Sequence, residues 1–281
     1  MSYNFVISGF SDEIDPQIEK QFECLNRLGI KYFEVRGVNG KNISQLSDEE
    51  LENLKETMNK YGVRVSSIGS PIGKIKITDD FAEHFELFKR VIKIAKYLGC
   101  RYIRIFSFYP PSGENIADYR SDVLSRLKEM VKKAEEEGVV LLHENEKDIY
   151  GDSIKRCKDL FENIKSDSFK GVFDPANFVQ CGQITYPEAW NNLKEHIVYM
   201  HIKDAKSETG DVVPAGYGDG QLKEIINCLK KDNYNGFLSL EPHLGTFCGL
   251  ENLETDDKMM SLEKSGPEKF EIAYNALRAI I

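Results

Sequence analysis

The strongest constraint on the fold is a unit that recurs along the chain: an amphipathic helical stretch, then a glycine, then at once a β-branched or aromatic run. Leu28-Gly29-Ile30, Tyr61-Gly62-Val63, Leu98-Gly99-Cys100 and Glu137-Gly138-Val139 are four plain copies. Glycine just past a helix end adopts the left-handed cap conformation without a steric penalty, and the chain then enters a strand. The clearest helix carries Phe81, Phe85, Phe88, Ile92 and Ala95 at steps of 4, 3, 4 and 3, one apolar stripe to lay on a sheet. Thr78 and Asp79 are its expected capping residues.

Apolar or β-rich runs bounded by turn residues fall at 5–10, 32–37, 63–70, 102–108, 139–144, 171–174, 197–203 and 236–241. Helical patterns follow each, the last from Pro267 to Ile281. Starts are 26 to 39 residues apart, the length of a βαβ unit, so the 281 residues read as one α/β domain, a (β/α)8 TIM barrel over 1–281. A doubly wound open sheet is the alternative, but no Gly-x-Gly-x-x-Gly opens the first helix and no linker divides the chain.

Composition narrows the function. The net charge of −9 repels phosphate backbones, so a nucleic-acid partner is not expected. No segment has the roughly 18 consecutive apolar residues of a spanning helix, and Met1-Ser2-Tyr3-Asn4 lacks a leader pattern, so a cytoplasmic protein with no membrane partner is expected. Six cysteines without a Cys-x-x-Cys pair read as reduced packing residues. Five histidines stand against 46 carboxylates, so a metal site here must lean on oxygen.

Active sites of such barrels gather at the C-terminal strand ends. The last four runs end in Glu144, Asp174, His201 and Glu241. Burying three carboxylates and an imidazole in one mouth costs several kcal/mol per ion unless a cation compensates. One divalent metal ion is therefore expected on Glu144, Asp174, His201 and Glu241, with Mn²⁺ favoured, Mg²⁺ or Co²⁺ also suited and Zn²⁺ less so.

These residues, in the contexts His143-Glu144-Asn145, Phe173-Asp174-Pro175-Ala176-Asn177, His201-Ile202-Lys203-Asp204 and Leu240-Glu241-Pro242-His243, resemble the xylose-isomerase-like sugar phosphate isomerase/epimerase family of the AP endonuclease family 2 superfamily. The resemblance covers the whole chain. It implies a (β/α)8 barrel with one divalent metal, acting on a polyol, ketose or sugar derivative, and a small-molecule sugar as partner. One departure is local: sequences resembling the family's ketose 3-epimerases carry a histidine after the strand-6 aspartate and an arginine after the strand-7 histidine, where this chain has Asn177 and Lys203–Lys206.

Chemistry then assigns roles. Glu144 and Glu241, on opposite sides of the metal, are expected to act as the acid/base pair of an isomerase or epimerase, as in resembling family members. Glu34 and Arg36, sharing a face at the end of strand 2, are expected either to bind substrate hydroxyls or to pair with each other. Ser70, His143, Asn177 and Lys203 are further substrate-binding candidates, Lys203 through a hydroxylate or phosphate. His143 is expected to support the site by a hydrogen bond rather than ligate, His243 to be a contact or a cap, and His84 and His196 to have no role. The loop Gly69–Lys74 is a weak candidate anion cradle, Gly216–Gly220 either a closing loop or a free turn. Leu244–Gly266 is expected to cover the site or form a subunit contact, which leaves a homo-oligomer open. An inosose-type dehydratase is the nearest alternative activity; an apurinic endonuclease, which needs three zinc ions, and a non-catalytic sugar-binding barrel stand further off.

Overall fold

The computed structural model describes residues 5–252 and 257–281. Its eight longest strands are β1 (Val6–Gly9), β2 (Tyr32–Val35), β3 (Arg64–Gly69), β4 (Tyr102–Ile105), β5 (Val140–Glu144), β6 (Phe169–Phe173), β7 (Ile197–Ile202) and β8 (Phe237–Leu240), each inside an expected run or within two residues of one. They form one sheet whose ladders are all parallel and run from β2 through β3 to β8 and on to β1. β1 and β2 lie side by side, and Ser8 of β1 reaches Ser66 of β3 through a 2.6 Å hydrogen bond across the interior. The result is a nearly closed TIM barrel.

Helices α1 (Ile18–Arg27), α2 (Asp48–Tyr61), α3 (Phe81–Leu98), α4 (Arg120–Glu137), α5 (Ile154–Asn163), α6 (Pro175–Gln180), α7 (Leu222–Lys231) and α8 (Pro267–Ile280) run between and after the strands. Gly62, Gly99 and Gly138 end α2, α3 and α4 in the left-handed conformation, as the repeat required. The cap of α3 is Asp80, whose carboxylate accepts from the N–H groups of Ala82 and Glu83, rather than Thr78 or Asp79. Asp79 instead accepts from the Lys76 N–H and closes the turn before the helix.

Two apolar layers result. The larger lies between sheet and helices; the smaller fills the barrel's interior with Val140, Leu142, Val172 and Tyr199, packed against Tyr102 and Phe237. Above this plug the inward positions turn polar: Ser8, Glu34, Arg104, His201 and Ser239, then Arg36, Glu144, Asp174, Lys203 and Glu241, all buried. Period-two alternation explains this, since every second residue of a strand faces the axis.

Candidate metal centre and active site

β5 ends on Glu144, β7 carries His201 one residue before its end, and Asp174 and Glu241 follow directly on β6 and β8. One donor atom from each lies within 4.8 Å of the others, close to the spread that metal–oxygen and metal–nitrogen bonds of about 2.0–2.2 Å allow across a coordination sphere. His201 Nδ1 sits 2.9 Å from Glu144 Oε1, 3.3 Å from Glu241 Oε2 and 3.8 Å from Asp174 Oδ2.

Neighbouring residues fix each donor. Glu34 Oε2 lies 3.2 Å from His201 Nε2 and accepts from Ser239 Oγ at 2.8 Å. With Nε2–H given to Glu34, the Nδ1 lone pair faces the carboxylates. Asp174 Oδ1 accepts the Asn177 N–H at 2.9 Å and so caps α6, leaving Oδ2 free of any well-directed hydrogen bond although the Lys203 ammonium stands 2.9 Å away. Asn145 ties β5 to β6 by exchanging two hydrogen bonds with the Asp174 backbone. Asn177 Nδ2 donates to the Asn145 carbonyl and, at 3.3 Å, to Glu144 Oε1.

The electrostatics show what the cluster lacks. Burial alone would lower the pKa of His201, but Glu144, Glu34 and Glu241 override it and raise it well above the usual imidazole value. Burial, with Glu241 and Glu144 beside it, lifts the Asp174 carboxyl to about 7 against the pull of Lys203. Burial likewise lifts Glu13 to about 8, opposed by Arg36. Asp12, Glu13, Glu34, Glu144, Glu146, Asp174 and Glu241 outnumber Arg36, Lys74, Arg104 and Lys203 in and around the mouth. An acceptor oxygen without a directed donor, an imidazole nitrogen aimed at three carboxylates and a surplus of acidic groups over arginines and lysines together fit a hard or borderline dication.

Several expected site residues take other positions. Glu34 and Arg36 do not pair, because each finds a partner across the barrel. Glu34 orients His201, while Arg36 makes two bonds to Asp12, at 2.8 and 3.1 Å, and lies 3.3 Å from Glu13 and 3.5 Å from Glu241. His143 points outward between β5 and α5, its Nε2 2.9 Å from Ser107 Oγ and its ring against Phe161 and Phe169, so strand parity removes it from the mouth. Ser70 is turned back, its hydroxyl donating to the Arg104 carbonyl at 2.5 Å.

The Gly69–Lys74 loop is no anion cradle. The Gly73 N–H goes to His84 Nε2 at 2.8 Å, the Ile72 N–H to Ser70 Oγ, and Lys74 pairs with Glu146. His84 thus holds this loop. Neither is Gly216–Gly220 a free turn: the N–H groups of Gly216, Gly218 and Gly220 all donate to the buried Asp204 carboxylate at 2.8–3.0 Å. Lys203 lies 2.9 Å from Asp174 and 3.1 Å from Glu241, buried among the expected ligands. His243, past the strand end at φ 45°, donates its N–H to Glu13 at 2.7 Å and packs its ring on Phe247. Phe247, from the segment expected to cover the site, also stacks on Arg36 with the guanidinium carbon 4.6 Å from the ring centre. Part of that segment, 253–256, lies outside the described residues.

Sequence reasoning missed Asp12, Glu13, Arg104 and Asn145. Arg104 had a readable signal: a charge at inward parity in the apolar run Tyr102-Ile103-Arg104-Ile105. Asp12 and Glu13 had none, since they lie in a short turn after β1 that looks like any polar loop.

Solved structures share the whole architecture. The IOLI protein with a bound zinc atom superposes with a TM-score of 0.77 at 16% identity, over 98% of each chain. D-psicose 3-epimerase with D-tagatose from Clostridium cellulolyticum H10 gives 0.72 at 15% identity, over 98% of this chain and 99% of that one. The probable 3-DHS dehydratase AsbF from Bacillus anthracis gives 0.70 at 16% identity, over 86% and 92%. No curated protein matches the sequence. At these identities the likeness establishes the fold. A family model described as xylose isomerase-like TIM barrel matches residues 22–263, most of the chain, and the protein belongs to that family.

Proposed function

We propose that the protein is a divalent-metal-dependent isomerase or epimerase of a sugar, sugar phosphate or related polyol ketone, moving a proton at the carbon beside a carbonyl. The observation that carries this reading is the convergence of Glu144 Oε1 and Glu241 Oε2, from β5 and β8, on one imidazole nitrogen at 2.9 and 3.3 Å. Glu144, Asp174, His201 and Glu241 would hold the ion, with Mn²⁺ favoured for so oxygen-rich a set. A bound dication supplies Lewis-acid polarisation of the substrate carbonyl and offsets the negative charge that builds on its oxygen. The rest is the chain's own work. One of the pair Glu144 and Glu241, as the carboxylate, takes the proton from the carbon beside the carbonyl, and the other, as the carboxylic acid, returns one from the opposite side of the mouth, so the pair carries one proton through each turnover. Burial raises the pKa of Glu241, but Lys203, His243 and His201 outweigh it and keep this group a carboxylate at rest. Asn177 steadies Glu144, and the buried plug beneath His201 keeps bulk water out of the interior.

A sugar substrate is supported by the family and by the D-tagatose found with one structural relative. The six free thiols support a reduced, cytoplasmic setting. One observation favours a second reading, dehydration of an inosose-type substrate: the buried Lys203 ammonium stands 3.1 Å from Glu241, where it can protonate a departing hydroxyl. Incubating the Mn²⁺-loaded protein with ketoses, inososes and their phosphates tests both. Epimers or aldose–ketose isomers support the first reading, an unsaturated product the second, and no conversion of any of them contradicts both.

A further inference from the structure

Glu144 and Glu241 are built alike in a way their metal-binding role does not require. Each presents one oxygen to the cluster and the other to a buried arginine. Glu144 Oε1 faces His201, and its Oε2 accepts from Arg104 Nη1 at 3.1 Å. Glu241 Oε2 faces His201 and Lys203, and its Oε1 accepts from Arg36 Nη1 at 3.5 Å. The arginines come from the half of the barrel opposite the ligands, from β4 and just past β2. They share one aromatic platform: the Phe10 ring centre lies 4.3 Å from the Arg36 guanidinium carbon and 5.2 Å from that of Arg104, and the same ring meets the edge of His201 at 5.3 Å.

Both guanidiniums are held from behind. Asp12 binds Arg36 through two nitrogens while Phe247 covers its outer face. Arg104 Nη2 donates to the Ser70 carbonyl, Ser70 Oγ returns a bond to the Arg104 carbonyl, and Phe106 packs against the guanidinium at 4.6 Å. Arginine's planar fork is suited to this task because its donors are fixed in direction once the plane is fixed.

Resting on the proton-transfer reading above, we infer that Arg104 and Arg36 are positioning residues that divide the two oxygens of each glutamate: one oxygen is left to the metal, and the other is kept off it and held towards the substrate. A carboxylate clamped in this way binds through a single oxygen and keeps a fixed base for the C–H proton. Released, it is free to bring both oxygens onto the ion and lose that aim. The arrangement is unequal. Arg104 has one carboxylate partner, whereas Arg36 is shared among Asp12, Glu13 and Glu241, so the hold on Glu144 is the firmer.

The test is the full-length protein with Arg104→Met, Arg104→Lys and Arg36→Met, read by Mn²⁺ calorimetry on metal-stripped protein and by steady-state kinetics on the best ketose. Removing a cation from beside a dication and freeing a second carboxylate oxygen predicts Mn²⁺ binding about tenfold tighter in both Met variants. The same variants should lose about 100-fold in kcat with KM within about threefold, Arg104→Met more than Arg36→Met, and Arg104→Lys should recover part of the loss. Weaker Mn²⁺ binding in step with lost activity would show that the arginines merely hold the barrel together and overturn the inference; so would Met variants with unchanged kcat. If the unaltered protein turns over no ketose, the proton-transfer reading fails by itself. The calorimetry still decides the clamp: tighter binding supports it and weaker binding overturns it.

Discussion

His201 has two nitrogens in two different environments, and Glu34 determines what each can do. An ionised Glu34 against Nε2 keeps that nitrogen protonated, while Nδ1 faces three further carboxylates that favour a second proton. A metal ion must displace that proton, and also the proton on Asp174 where its carboxyl is lifted to about 7. Metal affinity should therefore fall as pH drops, and binding at pH 6 should release protons, measurable by calorimetry in buffers of different ionisation enthalpy; affinity independent of pH would contradict this assignment. Glu34→Gln should weaken metal binding by about 10- to 100-fold without touching the ion, the usual loss when a ligand's hydrogen-bond partner is removed. The clustering of Glu144, Asp174, His201 and Glu241 could be read from sequence because strand parity and strand ends locate them. Glu34's role could not, since on sequence alone Arg36 is an equally good partner for it.

At the level of elements, the eight strands and the glycine caps follow from local rules, and they appear where periodicity and cap chemistry put them. Loops obey no such rule. Gly216–Gly220 is shaped by Asp204, more than ten residues away, whose carboxylate gathers three glycine N–H groups and the Ala205 N–H. Side chains at Gly218 or Gly220 would run into that carboxylate. Asp204→Ala leaves these donors without their acceptor and should destabilise the protein by about 3 kcal/mol. Hydrogen exchange should show the loss of protection confined first to 216–220. A variant with unchanged exchange there would mean that the loop holds its own shape. Gly69–Lys74 teaches the same lesson, because its amides are committed to His84 and Ser70.

Across the whole molecule, the barrel gathers more buried acid than base at one end, and this sets its response to pH. A carboxyl whose folded pKa is raised contributes stability that is complete below its unfolded value and is lost as pH climbs towards the folded one. Asp174 at about 7 and Glu13 at about 8 therefore make the metal-free protein lose stability between about pH 5 and pH 8. An ion on the cluster removes the Asp174 part of this loss. Thermal melts should show metal raising Tm, by mass action worth about 2.7 kcal/mol at 100 times Kd, with the gap between loaded and stripped protein widening from pH 6 to pH 8 and chelator closing it. Equal melting curves with and without metal at both pH values would contradict a resident ion.

Under the proposed function, Glu144 and Glu241 move a proton at a carbon beside a carbonyl. Mass spectrometry and NMR of ketose recovered after incubation with the Mn²⁺-loaded protein in deuterated water test it most directly. One solvent deuterium per turnover is expected at that carbon, with the rate cut by two to four orders of magnitude in Glu144→Gln and in Glu241→Gln. Conversion without solvent deuterium, or incorporation at near-normal rate in either variant, would contradict it.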